Sequence, residues 1–541
     1  MATVPSIDTT NLLTILGVIA AVWALISPTS RLRFRYCVTW PDWIVAGTVF
    51  LIIHYLIFAP ALESVGLYYS LGPWIWGLDN SSAVYLLLLL VVIYFFWRTR
   101  SPTLARGKLY LFRQLIENLL LAKRYDELVL LVEPQLPKLI KLSQHQPFLA
   151  RLADRFTPRA QSNTATRLSG GQPKTKTAWK RGLGVRLQSV KAWSLGNDQA
   201  SEQASALILD LITSSSLVAH LAVAHPYFCL KFVGTPEEIR SDFIEQYMDA
   251  LLTESSSRLY MELKNNQNLR EGNRLAIPQY NRLLRYFFAD ASVATSNGLY
   301  RAIGEAVCRR LDEDDKLAER LNRPLGGYHD VDRFRCPINS GITLFEIMLH
   351  EGIHQGLQDH MWLHYFRHFA KKILDRMCAS TDKDSYLEWP TPFHYLLYRL
   401  VSISTDWAEQ CSRINDAEIP EETRNAEGFD QHFISKEAIE ALGSMLEDIL
   451  PSPRISDSFK KYLLEIAIRS YVKIQSDHNL ADVASFFLRA VIRGSALQTS
   501  TSYRQSLLDI FERLDHRLRG DAQQFGEALS ASLVVGQDPL R

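Results

Sequence analysis

Three apolar runs near the amino terminus restrict this chain more than any other feature. Asn11–Ser27, Trp43–Ala61 and Ala83–Trp97 contain no Asp, Glu, Lys or Arg. Each approaches or meets the length that a helix needs to cross a hydrocarbon core. A bilayer offers no water to the backbone, so a spanning segment has to satisfy its own hydrogen bonds as a helix. A cleaved signal peptide fits the first run poorly, because no basic residue precedes it and two further apolar runs follow.

Basic residues beside spans are retained on the cytoplasmic side. Arg31, Arg33 and Arg35 follow the first run, and Arg98, Arg100, Arg106 and Lys108 follow the third. The connection Leu62–Ser82 has neither Lys nor Arg and carries Tyr68, Tyr69, Trp74 and Trp76, aromatic residues suited to the membrane interface. The expected arrangement is an integral protein of an inner or plasma membrane, with its amino terminus outside and everything after Arg98 in the cytoplasm. His54 lies inside the second run, where a neutral imidazole hydrogen-bonded within the helix bundle explains it. One such residue, with no ladder of acids or bases, makes a poor transporter and a sufficient anchor.

With 541 residues the chain exceeds one ordinary domain. Its net charge of +1 argues against a protein built mainly to bind nucleic acid. Its six cysteines are scattered without a CxxC pair, which fits free thiols in a reducing compartment.

Beyond the anchor, apolar residues recur at three- and four-residue steps, and alternating β-branched runs are scarce. The expected fold class is therefore mainly α: three N-terminal transmembrane helices, then a large cytoplasmic helical region with solenoid-like stacking. The expected divisions are an anchor (1–107), a helical hairpin (108–150), a flexible basic linker (151–198) and a helical domain (199–541). Pro134 and Pro137 divide or kink the second hairpin helix, and Pro236 with Glu237 and Glu238 marks a helix start. In the linker, residues 151–191 carry Asp154 as their one acid; the simplest reading is a solvated connector, with contact to anionic lipid or nucleic acid as the alternative. LSGGQ at Leu168–Gln172 matches the signature of ABC-type ATPases by chance, because the chain has no GxxxxGK[ST] loop for it to face.

Chemistry enters at Leu344–Phe369, which holds five histidines. A helix capped at Asn339 or Ser340 puts His350 and His354 on one face, where both imidazoles can take one Zn²⁺. Glu351 then has the place of the general base in HExxH, and HEGIH resembles the zinc metalloprotease motif over those five residues. His360 is the third-ligand candidate, at the ten-residue offset of HExxHxxGxxH, but the glycine of that pattern falls at Leu357. On an unbroken helix His360 would stand about 9 Å beyond His354 along the axis. A shared metal therefore requires a turn near Gly356. Asp375, Glu388 and Glu409 are other third-ligand candidates, and His329, Asp330, Asp332 and Cys336 are candidate partners from the preceding loop.

A structural reading explains more of the stretch. His360, His364 and His368 continue the four-residue spacing, and the other positions are apolar or aromatic almost all round, as in a helix central to its domain. Its histidines then form a polar seam. The leading expectation is a membrane-anchored cytoplasmic helical scaffold or sensor/effector without a cofactor, bound to the bilayer and to a protein partner or further copies of itself. A bacterial stress-response or phage-defence effector has this layout, as an analogy of architecture. The competing expectation is an integral-membrane zinc-dependent hydrolase using His350, Glu351 and His354.

Overall fold

A computed structural model describes residues 32, 34, 36–67, 80–100, 104, 108–144, 199–238, 242–267, 270–271, 274–275, 277–379, 389–409, 419–495 and 501–533. The run Asn11–Ser27, the basic linker with its LSGGQ, and Glu388 lie outside the described residues. The described chain is mostly helical, and its strands are one two-residue ribbon pairing Arg270–Glu271 with Arg274–Leu275. It divides into two compact units, 1–211 and 212–541.

In the first unit, helix α1 (Trp40–Ile57) opens with a capping box between Thr39 and Asp42. It packs against α2 (Asn80–Arg100). The two run antiparallel, because Asp42 at the start of α1 accepts from Tyr94 Oη at 2.5 Å and Arg98 Nε at 3.2 Å near the end of α2. Lys108, just after α2, donates to the carbonyls of Tyr36 and Val38, just before α1. The chain thus enters and leaves this helix pair at the same end. His54 hydrogen-bonds the Phe50 carbonyl of its own helix at 2.9 Å, so its polarity is met within α1.

Among the described residues one helix, α1, is long and apolar enough to cross a membrane. The apolar part of α2 is the shorter segment Ala83–Arg98, because Asn80, Ser81 and Ser82 make the first turn polar. Three spans are therefore more than the described residues provide. The hairpin expected over 108–150 forms as Leu109–Leu121, Tyr125–Val132 and Leu136–Ser143, with the division at Pro134. Arg113 pairs with Asp210 at 3.1 Å and Ser201 Oγ donates to the Ser143 carbonyl, so residues up to 211 belong to the same unit.

The second unit is built around one buried helix. Helices α3 (Leu299–Glu313), α4 (Pro337–His354), α5 (His364–Arg376), α6 (Pro392–Asp406), α7 (Phe433–Ile449), α8 (Asp457–Ser476) and α9 (Ala481–Arg493) supply most of its core. Every residue of α4 from Ile338 to His354 is buried. Its neighbours are Phe243–Thr253, Arg258–Gln267, Arg282–Phe288, Ala291–Ser296, α3, α6 and α7. In a solenoid each unit touches only its sequence neighbours. The apolar circumference of α4 instead draws helices from both sides of the chain, and the unit is a bundle around a central axis.

Packing elsewhere follows helix pairs: α5 on α3 and α7, α7 on α9, and α6 on α8. At the α7–α9 crossing a Cβ on Gly443 would stand 2.5 Å from the Ala490 carbonyl oxygen, so only glycine permits this approach. Two helix starts differ from the sequence reading. The segment at Pro236 is a turn in which Glu238 accepts from the Gly234 amide at 2.6 Å, and the helix begins at Phe243. Burial raises the Glu238 carboxyl to about 7, with the Gly234 bond pulling the other way. The α4 cap is Cys336, because Pro337 sits well at the first helical position.

Candidate functional site

Helix α4 carries HEGIH in its last turn. His350, Glu351 and His354 are 4%, 4% and 7% exposed. Gln355, the residue after the helix, fixes this end. Its Nε2 donates to Glu351 Oε2 at 2.8 Å and to the Phe288 carbonyl at 3.1 Å, and its Oε1 accepts from the Ala291 amide at 2.7 Å. The Glu351 carboxylate is thus tied to a glutamine that stitches α4 to its neighbours.

The helix does break at Gly356, which has φ +67°. The Gly356 amide donates to the Ile353 carbonyl and the Leu357 amide to the Gly352 carbonyl, a Schellman motif. The single helix expected through Phe369 is therefore two helices, α4 and α5, joined by a turn and the short 3₁₀ segment Met361–Leu363. The turn carries His360 to a different neighbourhood. Its ring lies 5.1 Å from that of His364 and 5.4 Å from that of Phe433, and its Nε2 is 3.5 Å from Glu437.

Among the described residues no three His, Cys, Asp or Glu side chains converge to hold one metal ion, and His360 stands beside Glu437. Cys336 sits at the opposite end of α4 from HEGIH, about 21 Å away at the rise of an α-helix. His329 packs tilted against Trp389 and edge-on to Tyr395, at centroid distances of 4.9 and 5.0 Å. Asp375 lies in the last turn of α5.

His360, His364 and His368 instead line a cleft of about 650 Å³ with Arg367, Lys371, Glu437 and Glu440. Burial lowers the His364 pKa, and His360 and His368 lower it further. Glu437 is raised by burial, against the pull of His360. Arg367 spans the cleft wall to Asp448 at 2.8 Å and Glu447 at 3.3 Å, tying α5 to α7.

One polar cluster in α4 was missed by sequence reasoning. Arg399 from α6 reaches Glu346 at 2.6 Å, Thr343 at 3.3 Å and Asn339 at 3.4 Å. Burial works against the guanidinium charge, but Glu346, Tyr395 and Asp406 together outweigh it and raise the Arg399 pKa. Its signal in the sequence was a lone arginine in the apolar run of α6, with Glu346 one turn before His350.

No family model matches the chain, and neither curated proteins nor solved structures give a match to it.

Proposed function

We propose that this protein is a membrane-anchored helical sensor or scaffold, with α4 as the structural axis of its second unit. The observation that carries this reading is the burial of the whole of α4 from Ile338 to His354, including the three polar residues of HEGIH. A hydrolase acting on a polymer must expose its nucleophile to a cleft that admits substrate. Here the later histidines line an open cleft, and the HExxH residues are packed inside.

The outer faces of α1 and α2 support the anchor. Trp40 and Trp97 are each 77% exposed, and Trp43, Leu51, Leu90 and Val92 are exposed beside them. An apolar surface this continuous is disfavoured in water and matched by lipid. In this reading the second unit is cytoplasmic and presents its clefts to ligands or partners there.

Alkaline extraction of membranes from cells producing the full chain tests the anchor. The protein should stay in the pellet with integral proteins. Release into the supernatant would remove the membrane from the account.

A further inference from the structure

The second unit contains a cleft of about 690 Å³ on the far end of α4 from HEGIH. We infer that this cleft binds a small organic phosphate through Arg320 and Arg335. The volume is in the range of pockets that take nucleotide-sized ligands.

The charges on its wall set what it can accept. Arg310, Arg320, Arg323 and Arg335 line the cleft together with Asp314 and Asp332. Arg310 is committed to Asp249 at 2.8 Å, and Arg323 to Glu319 at 2.7 Å. Asp314 accepts the Leu317 amide at 2.9 Å and caps the helix that follows it. Arg320 and Arg335 have no ion pair among the described residues, and both are exposed. Asp332, at the start of a 3₁₀ turn, also lines the cleft, and with Asp314 it balances the formal charge of the two arginines, so what the wall offers an anion is two unpaired guanidinium forks and not an excess of charge.

The backbone adds donors. Gly326 and Gly327 also line the cleft, and their amides donate to no acceptor among the described residues. Gly326 has φ +52°, and both glycines are exposed. Guanidinium groups with free backbone amides in a concave site match phosphate oxygens, which accept several charge-assisted hydrogen bonds at once. Free inorganic phosphate would use only part of the cleft. The remaining wall, with Tyr260, Leu317, Leu325 and Pro392, is apolar or aromatic and suits the organic body of the ligand.

A phosphate ester with such a body comes either as a soluble nucleotide or as a lipid headgroup. The sensor reading supplies the purpose of binding; the binding itself is measured without any assay of signalling or membrane insertion. Full-length protein in detergent is titrated by calorimetry with ATP in one arm and with water-soluble, short-chain phosphatidylinositol bisphosphate in the other. The double variant Arg320→Gln/Arg335→Gln is compared with Arg469→Gln, which removes an exposed arginine paired with Glu465 elsewhere. Both cleft arginines are exposed, so the double variant should keep the wild-type melting curve.

Saturable binding in one arm, weakened tenfold or more in the double variant and unchanged in Arg469→Gln, is the expected result. The arm that responds identifies the source of the phosphate. Absence of saturable binding in both arms, or equal binding by the double variant, would overturn the inference and leave the membrane anchor, read by alkaline extraction, unaffected.

Discussion

The Arg399 guanidinium meets the Glu346 carboxylate at 2.6 Å, with 11% and 9% of the two side chains exposed. This pair joins α6 to α4 in the middle of the core. Removing one partner of a buried pair strands the other charge, which costs about 3–5 kcal/mol. Glu346→Ala should therefore lower stability by that order in denaturant unfolding. Replacing both, as Glu346→Leu/Arg399→Met, should recover most of the loss. A Glu346→Ala variant as stable as the wild type would show that the pair does not hold the helices together.

Two glycines at the end of α4 should respond in opposite directions. Gly356 has a left-handed backbone, and its Cβ would stand 2.8 Å from Ile419 Cγ2. Gly356→Ala combines that conformational strain with overpacking and should cost about 2–4 kcal/mol. Gly352 is helical and its Cβ would make ordinary contacts, the nearest 3.6 Å from Leu357. Gly352→Ala should be neutral or stabilise by about 0.5–1 kcal/mol. Melting temperatures of the two variants check the contrast.

The histidine cleft predicts a pH dependence with a defined sign. Burial and the neighbouring His360 and His368 lower the His364 pKa from its ordinary 6.5. As pH falls through 6.5 the unfolded chain takes up the proton before the folded one, so folding stability declines there and levels off below the folded pKa. His432 is lowered too, mainly by burial, and acts in the same direction. Glu437, which faces His360 from α7, is raised and acts oppositely, losing stability as pH rises above 4.5. His364→Gln should therefore flatten the decline between about pH 7 and pH 5. An unchanged pH profile of unfolding in that variant would exclude His364 as a source of the dependence.

Much of this architecture was legible in the chain. Helical periodicity, the division at Pro134 and the apolar circumference of α4 follow from side-chain spacing and proline chemistry. A metal shared with His360 depends on a turn near Gly356, and this glycine sits in the left-handed conformation that ends the helix. What the spacing did not carry was tertiary. Where His360 goes after the turn depends on Phe433 and Glu437, which lie far along the chain. The Arg399–Glu346 pair and the Gln355 stitch likewise join residues that no local pattern links. At Pro236 a good local start signal lost to the bond from the Gly234 amide to Glu238, and the helix was displaced to Phe243.

The role assigned to α4 is open to one direct measurement, the zinc content per chain of full-length protein purified without chelator. With HEGIH serving as packed structure, the wild type should carry no stoichiometric zinc, and His350→Ala should lower stability without changing metal content. One zinc per chain that disappears in His350→Ala and persists in Glu351→Gln would contradict this account and place a metal centre in the last turn of α4.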